Sequence, residues 1–203
     1  MLSLYLSHPQ VEMDPAIDVS QWTLSAIGRR RAEALSQRLK LDRATRLCSS
    51  AERKAMDLAQ ILAASTDQRV TYGEAFNEND RSATGFLPKE EFEAAANRFF
   101  GEPENSYAGW ERAIDAQARI VRAVDEVLSE ADGPVVFCGH GAVGTLLKCH
   151  VAKRAINRSE DQSHSGDPGG GNGLIFDWAT GVLIGDWTPF EALPSNWQDL
   201  SIA

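Results

Sequence analysis

The sequence predicts a three-layer α/β/α sandwich with a mainly parallel central sheet and an antiparallel C-terminal hairpin, and three observations point to it. Short apolar runs alternate with segments of helical periodicity. The run VVFC turns abruptly into a helix through GHGAV. Finally, GLIFDWATGVLIGDW holds two strand-like runs joined at Ala179 to Gly181.

From the N-terminus, LSLYLS reads as a short buried strand that ends at Ser7, His8 and Pro9. LSAIGRRRAEALSQRLKL then carries apolar residues at helical spacing, with Ser25 as the N-cap. ATRLCSS is a second strand, ERKAMDLAQILAAS a second helix and QRVTYG a short third strand. The charged stretch EAFNENDRSATGFLP, containing Gly85 and Pro88, reads as a surface loop. KEEFEAAANRFF and WERAIDAQARIVRAVDEVLSEA supply two more helices, the second starting near Glu111, whose carboxylate complements the helix dipole. Next come the VVFC strand, His140 at the turn and the helix GHGAVGTLLKCHVAKRA. GGGNG precedes a strand instead of joining a strand to a helix, so it reads as a flexible or tightly turning loop and not as a nucleotide loop.

The length, 203 residues, fits one domain spanning 1–203, with a lid-like insert at about 74–107. The composition, 43% hydrophobic and 24% charged, is that of a globular chain, and no apolar run is long enough to span a bilayer. A net charge of −9 disfavours nucleic acid and anionic membrane as partners but leaves room for a local basic pocket. Cys48, Cys138 and Cys149 are too few and too scattered for a disulfide framework, and no secretory signal is legible, so a cytoplasmic setting is expected. No histidine or cysteine pair has metal-ligand spacing, so no metal or other cofactor is expected. Nothing in the sequence argues against a homodimer.

In such sheets ligands gather at the carboxyl ends of strands, and His8, Ser49 and His140 all fall there. Taken in order, these stretches resemble the histidine phosphatase superfamily, the phosphoglycerate mutase-like proteins. Ser7-His8-Pro9 stands where that family has Arg-His-Gly. WTLSAIGRRRAEAL, with Gly28 and Ala32, is similar to its Leu-Thr-x-x-Gly-x-x-Gln-Ala segment. CSSAERKAMDLA resembles the motif that delivers an arginine to the phosphate, FNEND the loop that carries a carboxylate proton donor, and VVFCGHGAV the strand that ends in a second histidine.

The resemblance implies a phosphomonoester phosphatase that works through a phosphohistidine on His8. Arg53, judged by its spacing from Ser49, and His140 would clamp the phosphate, and Glu78 would be the acid, with Glu74 second. Glu111 stays outside the catalytic set, and nothing specifies a mutase. Ser7 in place of arginine removes up to two charge-assisted hydrogen bonds, each worth about 1.5–3 kcal/mol, and Pro9 removes a backbone donor. Ser7 can return only one neutral hydrogen bond. Arg81, three residues beyond Glu78, would supply a replacement cation, and Trp22 and Trp110 would wall the pocket. The expected ligand is a small phosphorylated substrate or inorganic phosphate. Two alternatives stand beside this reading: a catalytically weak pseudophosphatase that binds phosphate-containing ligands or a protein partner, and a phosphohistidine protein phosphatase. His150 and His164 have no expected chemical role.

Overall fold

The computed structural model describes residues 1–66 and 68–200. Among these described residues six strands form one sheet: β1 (Leu2–Ser7), β2 (Arg46–Ser50), β3 (Val70–Gly73), β4 (Val135–Gly139), β5 (Asn172–Asp177) and β6 (Val182–Pro189), in the order β3-β2-β4-β1-β5-β6. The first four strands in that order are parallel, and β5 and β6 add antiparallel pairs at one edge. The helices are α1 (Ala26–Arg38), α2 (Arg53–Ala64), α3 (Lys89–Gly101), α4 (Ala113–Ser129), α5 (Gly141–Val151) and the single turn α6 (Gln162–Ser165).

Every residue of β1 is buried because both faces of the sheet are covered. Leu2, Leu4 and Leu6 join Leu35 of α1 and Leu58 and Leu62 of α2 in one core. Tyr5 points the opposite way, into a second core with Phe99 and Phe100 of α3, Ile120 and Val124 of α4, and Leu147 of α5. The alternation along LSLYLS thus sets three leucines on one face against Ser3, Tyr5 and Ser7 on the other.

Ser25 caps α1, its hydroxyl accepting from Gly28 N–H at 3.1 Å. A Cβ on Gly28 would lie 2.1 Å from the Gln10 carbonyl, so only glycine lets α1 pass this close to the first loop. Two sequence expectations change. Helix α4 begins at Ala113, later than the periodicity suggested, and Trp110 just ahead of it is buried against Phe92, Phe99 and Tyr107 instead of walling a pocket. Of the two readings of the glycine stretch, the tightly turning one holds, with Gly170 and Gly171 both at positive φ. Gly171 N–H donates to the His8 carbonyl at 3.0 Å, and Arg31 donates to the carbonyls of Gly170 and Gly171 at 2.9 and 3.3 Å.

Candidate active site

The two histidines meet because of strand register. Ser7 pairs with Gly139 across the β1–β4 ladder, and His8 N–H donates to the Gly139 carbonyl at 2.9 Å, so His8 and His140 leave adjacent parallel strands side by side. Their ring centroids lie 5.2 Å apart, edge to face. From this point the chain goes toward β2 after β1 but toward β5 after β4, which opens a crevice between the strand ends.

Each ring has a defined orientation. His8 Nδ1 lies 2.9 Å from the Pro9 carbonyl, which can only accept, so Nδ1 carries the hydrogen and Nε2 keeps its lone pair. Pro9 thus orients the imidazole through its carbonyl, whatever its missing N–H costs. Burial, reinforced by His140 and Lys54, pulls the His8 imidazole down to about 3, so it is unprotonated at neutral pH.

The His140 tautomer follows from a chain of bonds. Ala51 N–H donates to Asn77 Oδ1 at 2.9 Å, so that atom is an acceptor and the Ser50 hydroxyl donates to it at 2.7 Å. Ser50 Oγ, its one hydrogen committed, accepts from Glu52 N–H at 3.0 Å and from His140 Nε2 at 2.8 Å. Nε2 therefore bears the hydrogen. Nδ1 has no partner among the described residues, although the ring is fully buried. Burial, with Lys54, Arg81 and Arg119 nearby, holds His140 well below the ordinary imidazole range. It is therefore neutral, and charge-assisted donation from it requires it first to take up a proton. Tyr5 fixes its backbone: the phenol accepts from His140 N–H at 2.9 Å and donates to the His140 carbonyl at 3.0 Å.

The β2–α2 turn contributes differently from the expectation. Arg53 is 55% exposed at its side chain and donates to Asp57 at 2.9 Å, away from the histidines. Its neighbour Lys54 is 3% exposed, donates to the Val19 carbonyl at 2.8 Å and to Glu52, and is the cation whose charge bears most on both imidazoles. The signal was in the sequence: Lys54, Ala55, Leu58, Ala59 and Leu62 form the buried stripe of α2, which turns position 54 inward. Ser49 is likewise displaced by one residue, its hydroxyl donating to the Ser50 carbonyl at 2.9 Å while Ser50 meets His140.

Ser7 does not fill the place of the missing arginine. Its fully buried hydroxyl donates to Gln162 at 2.7 Å and accepts from Asn172 N–H at 3.1 Å, fastening β1 to β5 behind the site. Trp22 stands behind the wall as well, donating to the carbonyls of Asp14 and Ile17 and packing edge-on against Phe86 at 6.0 Å.

A cavity of about 660 Å³, with Glu52, Glu74, Glu78, Arg81 and Phe86 in its wall, adjoins His140 through Glu52, whose carboxylate lies 3.6 Å from His140 Nε2. Glu78 reaches the start of α5, where its carboxylate accepts from Val143 N–H at 3.0 Å and Ala142 N–H at 3.2 Å. Burial nevertheless raises its pKa, with the Glu52 carboxylate adding to the effect. Arg119 holds the segment in place: it donates to the carbonyls of Ala75, Asn77 and Glu78 at 2.9, 3.0 and 3.2 Å and pairs with Glu111 at 2.7 Å. Glu111 is thus the anchor of Arg119 rather than a feature of the α4 start. Arg81 lies in the wall with its guanidinium 5.0 Å from the centre of the Phe92 ring. Glu74 is exposed in a 3-10 turn on the same wall, and His150 and His164 lie on the surface elsewhere.

The sequence model of the histidine phosphatase superfamily (branch 1) matches residues 10–172, beginning two residues after His8. The chain belongs to this superfamily. No curated protein matches it by sequence. Solved structures of other superfamily-like folds align with it over most of their length. Mycobacterial glucosyl-3-phosphoglycerate phosphatase Rv2419c with inorganic phosphate is 21% identical, with 92% of this chain and 93% of that one covered at a TM-score of 0.68. YhfR from Bacillus stearothermophilus is 18% identical, with 90% and 94% covered at 0.72. Phosphoserine phosphatase from Entamoeba histolytica, a mutant in complex with phosphoserine, is 16% identical, with 91% and 95% covered at 0.68. At these identities the likeness establishes the fold.

Proposed function

We propose that this protein is a phosphomonoesterase acting through a phosphohistidine on His8. The observation that carries the reading is the His8 ring itself, half-buried at a strand-end crevice, with Nδ1–H tied to the Pro9 carbonyl and Nε2 unprotonated. Nε2 attacks phosphorus, the N–P bond forms and the P–O bond to the alcohol breaks. The Glu78 carboxyl gives its proton to the departing oxygen. Water then attacks the phosphohistidine and returns a proton to Glu78 as phosphate leaves. Lys54 and Arg81 meet the anionic oxygens, and His140, on taking up a proton at Nδ1, donates to one of them.

The test is hydrolysis of p-nitrophenyl phosphate from mildly acidic to neutral pH, in the presence of chelator, by wild type and His8→Ala. Chelator-resistant turnover that disappears in the variant is the expected result. Wild-type turnover no greater than that of the variant at every pH would turn the reading toward a binding protein.

A further inference from the structure

The Ser7 hydroxyl is spent on one end of the Gln162 amide, and Asn172 decides which end that is. Asn172 Oδ1 accepts from Asp167 N–H at 2.7 Å and its Nδ2 donates to the Asp167 carbonyl at 2.8 Å, so Nδ2 is the atom that faces Gln162, at 2.9 Å. The Gln162 atom opposite this donor is oxygen, because a flipped amide would set two N–H groups against each other. Oε1 therefore accepts both from Asn172 Nδ2 and from the Ser7 hydroxyl at 2.7 Å. Gln162 Nε2 keeps its two hydrogens and has no acceptor among the described residues. It lies against the first residue of α5: a Cβ on Gly141 would come within 2.2 Å of it, so glycine at this position admits the amide.

The amide is firmly placed. Gln162 is half-buried and opens the turn α6, where Asp161 accepts from Ser163 N–H at 2.9 Å and pairs with Arg158 at 3.2 Å. It thus meets Ser7, the residue before His8, and Gly141, the residue after His140. Beside Gly141 in the chain, the buried Nδ1 of His140 also lacks a partner among the described residues. Two unpartnered nitrogens at the ends of the strands that present the imidazoles are groups that oxygen atoms of a ligand would satisfy.

We propose that Gln162 is a phosphate-binding residue, its Nε2 donating to an oxygen of the phosphoryl group held by His8 and His140. This inference rests on the phosphomonoesterase reading and adds a donor from α6 to that site. It also gives the Ser7 hydroxyl a purpose: by donating to Oε1 it fixes the amide with its N–H groups turned the other way and polarises them toward an anion. A serine before His8 then acts on the phosphate through Gln162.

The experiment follows inorganic phosphate. In isotope-labelled wild-type protein the side-chain N–H signals of Gln162 should shift during a phosphate titration, and signals that stay in place at phosphate concentrations that fully inhibit p-nitrophenyl phosphate hydrolysis would overturn the inference. Gln162→Glu keeps an oxygen for Ser7 and Asn172 but replaces the donor with negative charge, so a purely structural glutamine would tolerate it. The expected result is a Ki for phosphate raised about tenfold or more with little change in Tm. A Ki within about twofold of wild type would overturn the inference; should this variant not fold, the wild-type titration decides alone. A wild type that shifts its Gln162 signals with phosphate but does not hydrolyse p-nitrophenyl phosphate would keep the phosphate contact and overturn the phosphomonoesterase reading, and one that does neither would overturn both.

Discussion

At the scale of single residues, the site depends on a one-position distinction at the start of α2. Lys54 points inward beside the imidazoles and Arg53 points outward to Asp57. Lys54→Ala should lower kcat/KM for phosphomonoesters by roughly 10- to 100-fold, the equivalent of about 1.5–3 kcal/mol for a charge-assisted hydrogen bond. Arg53→Ala, which removes a half-exposed i,i+4 pair worth about 0.3–0.5 kcal/mol, should leave activity within about twofold. Steady-state kinetics on the two variants decide between these cations, and the reverse ranking would restore the arginine. Glu78 gives a second test. Its raised pKa keeps it protonated to higher pH than an ordinary glutamate, so the rate should fall as pH rises through that pKa. Glu78→Gln should slow alkyl phosphates on the order of 10²-fold or more and p-nitrophenyl phosphate far less, because nitrophenolate leaves without a proton. Equal losses on both substrates would assign Glu78 a structural role.

At the scale of elements, the loop that carries the glycines supports the end of β1. Gly170 has φ +79°, and a Cβ there would lie 2.3 Å from the His8 carbonyl. Gly170→Ala should therefore strain the backbone by about 1–2 kcal/mol and push on the residue that presents Nε2. The expected outcome is a lower Tm together with a fall in kcat larger than the stability loss explains, measured well below the new Tm. Unchanged kcat would show that His8 is held by the β1–β4 ladder alone. GGGNG advertised its turns in the sequence, but the partner that requires them, the His8 carbonyl some 160 positions away in the chain, did not appear there. The segment around Glu78 is similar. Its charges read as a solvated loop, yet Arg119 collects three of its carbonyls from the middle of α4.

At the scale of the whole molecule, burying two neutral histidines links folding to pH. His8 is lowered to about 3 and His140 is also lowered, whereas both titrate near 6.5 in the unfolded chain. Below that value the unfolded state takes up protons that the native state refuses, so this contribution is fully present above pH 6.5 and is lost as pH falls toward 3. Each group contributes up to about 1.4 kcal/mol per pH unit within its window, and Glu78, raised instead of lowered, opposes them by one proton. Denaturant unfolding between pH 7 and 5 should show stability declining with acid, with a shallower slope in His8→Ala. Identical slopes would mean that His8 is solvated in the native state.

The sequence by itself determined the layer order, the strand ends and the presence of a histidine at each of two of them. These follow from local periodicity and from turn chemistry that a few neighbouring residues settle. Tertiary structure decided everything that depended on register and on distant partners. The pairing of Ser7 with Gly139 brought His8 against His140, and the buried stripe of α2 chose Lys54 over Arg53. The bond from Ser7 to Asn172 took its hydroxyl out of the site, and the Ala51–Asn77–Ser50 chain set the His140 tautomer. The physical reason is common to these cases. A side chain's chemistry is fixed by its type, but its protonation, direction and burial are fixed by the groups that face it, and most of those lie far away along the chain.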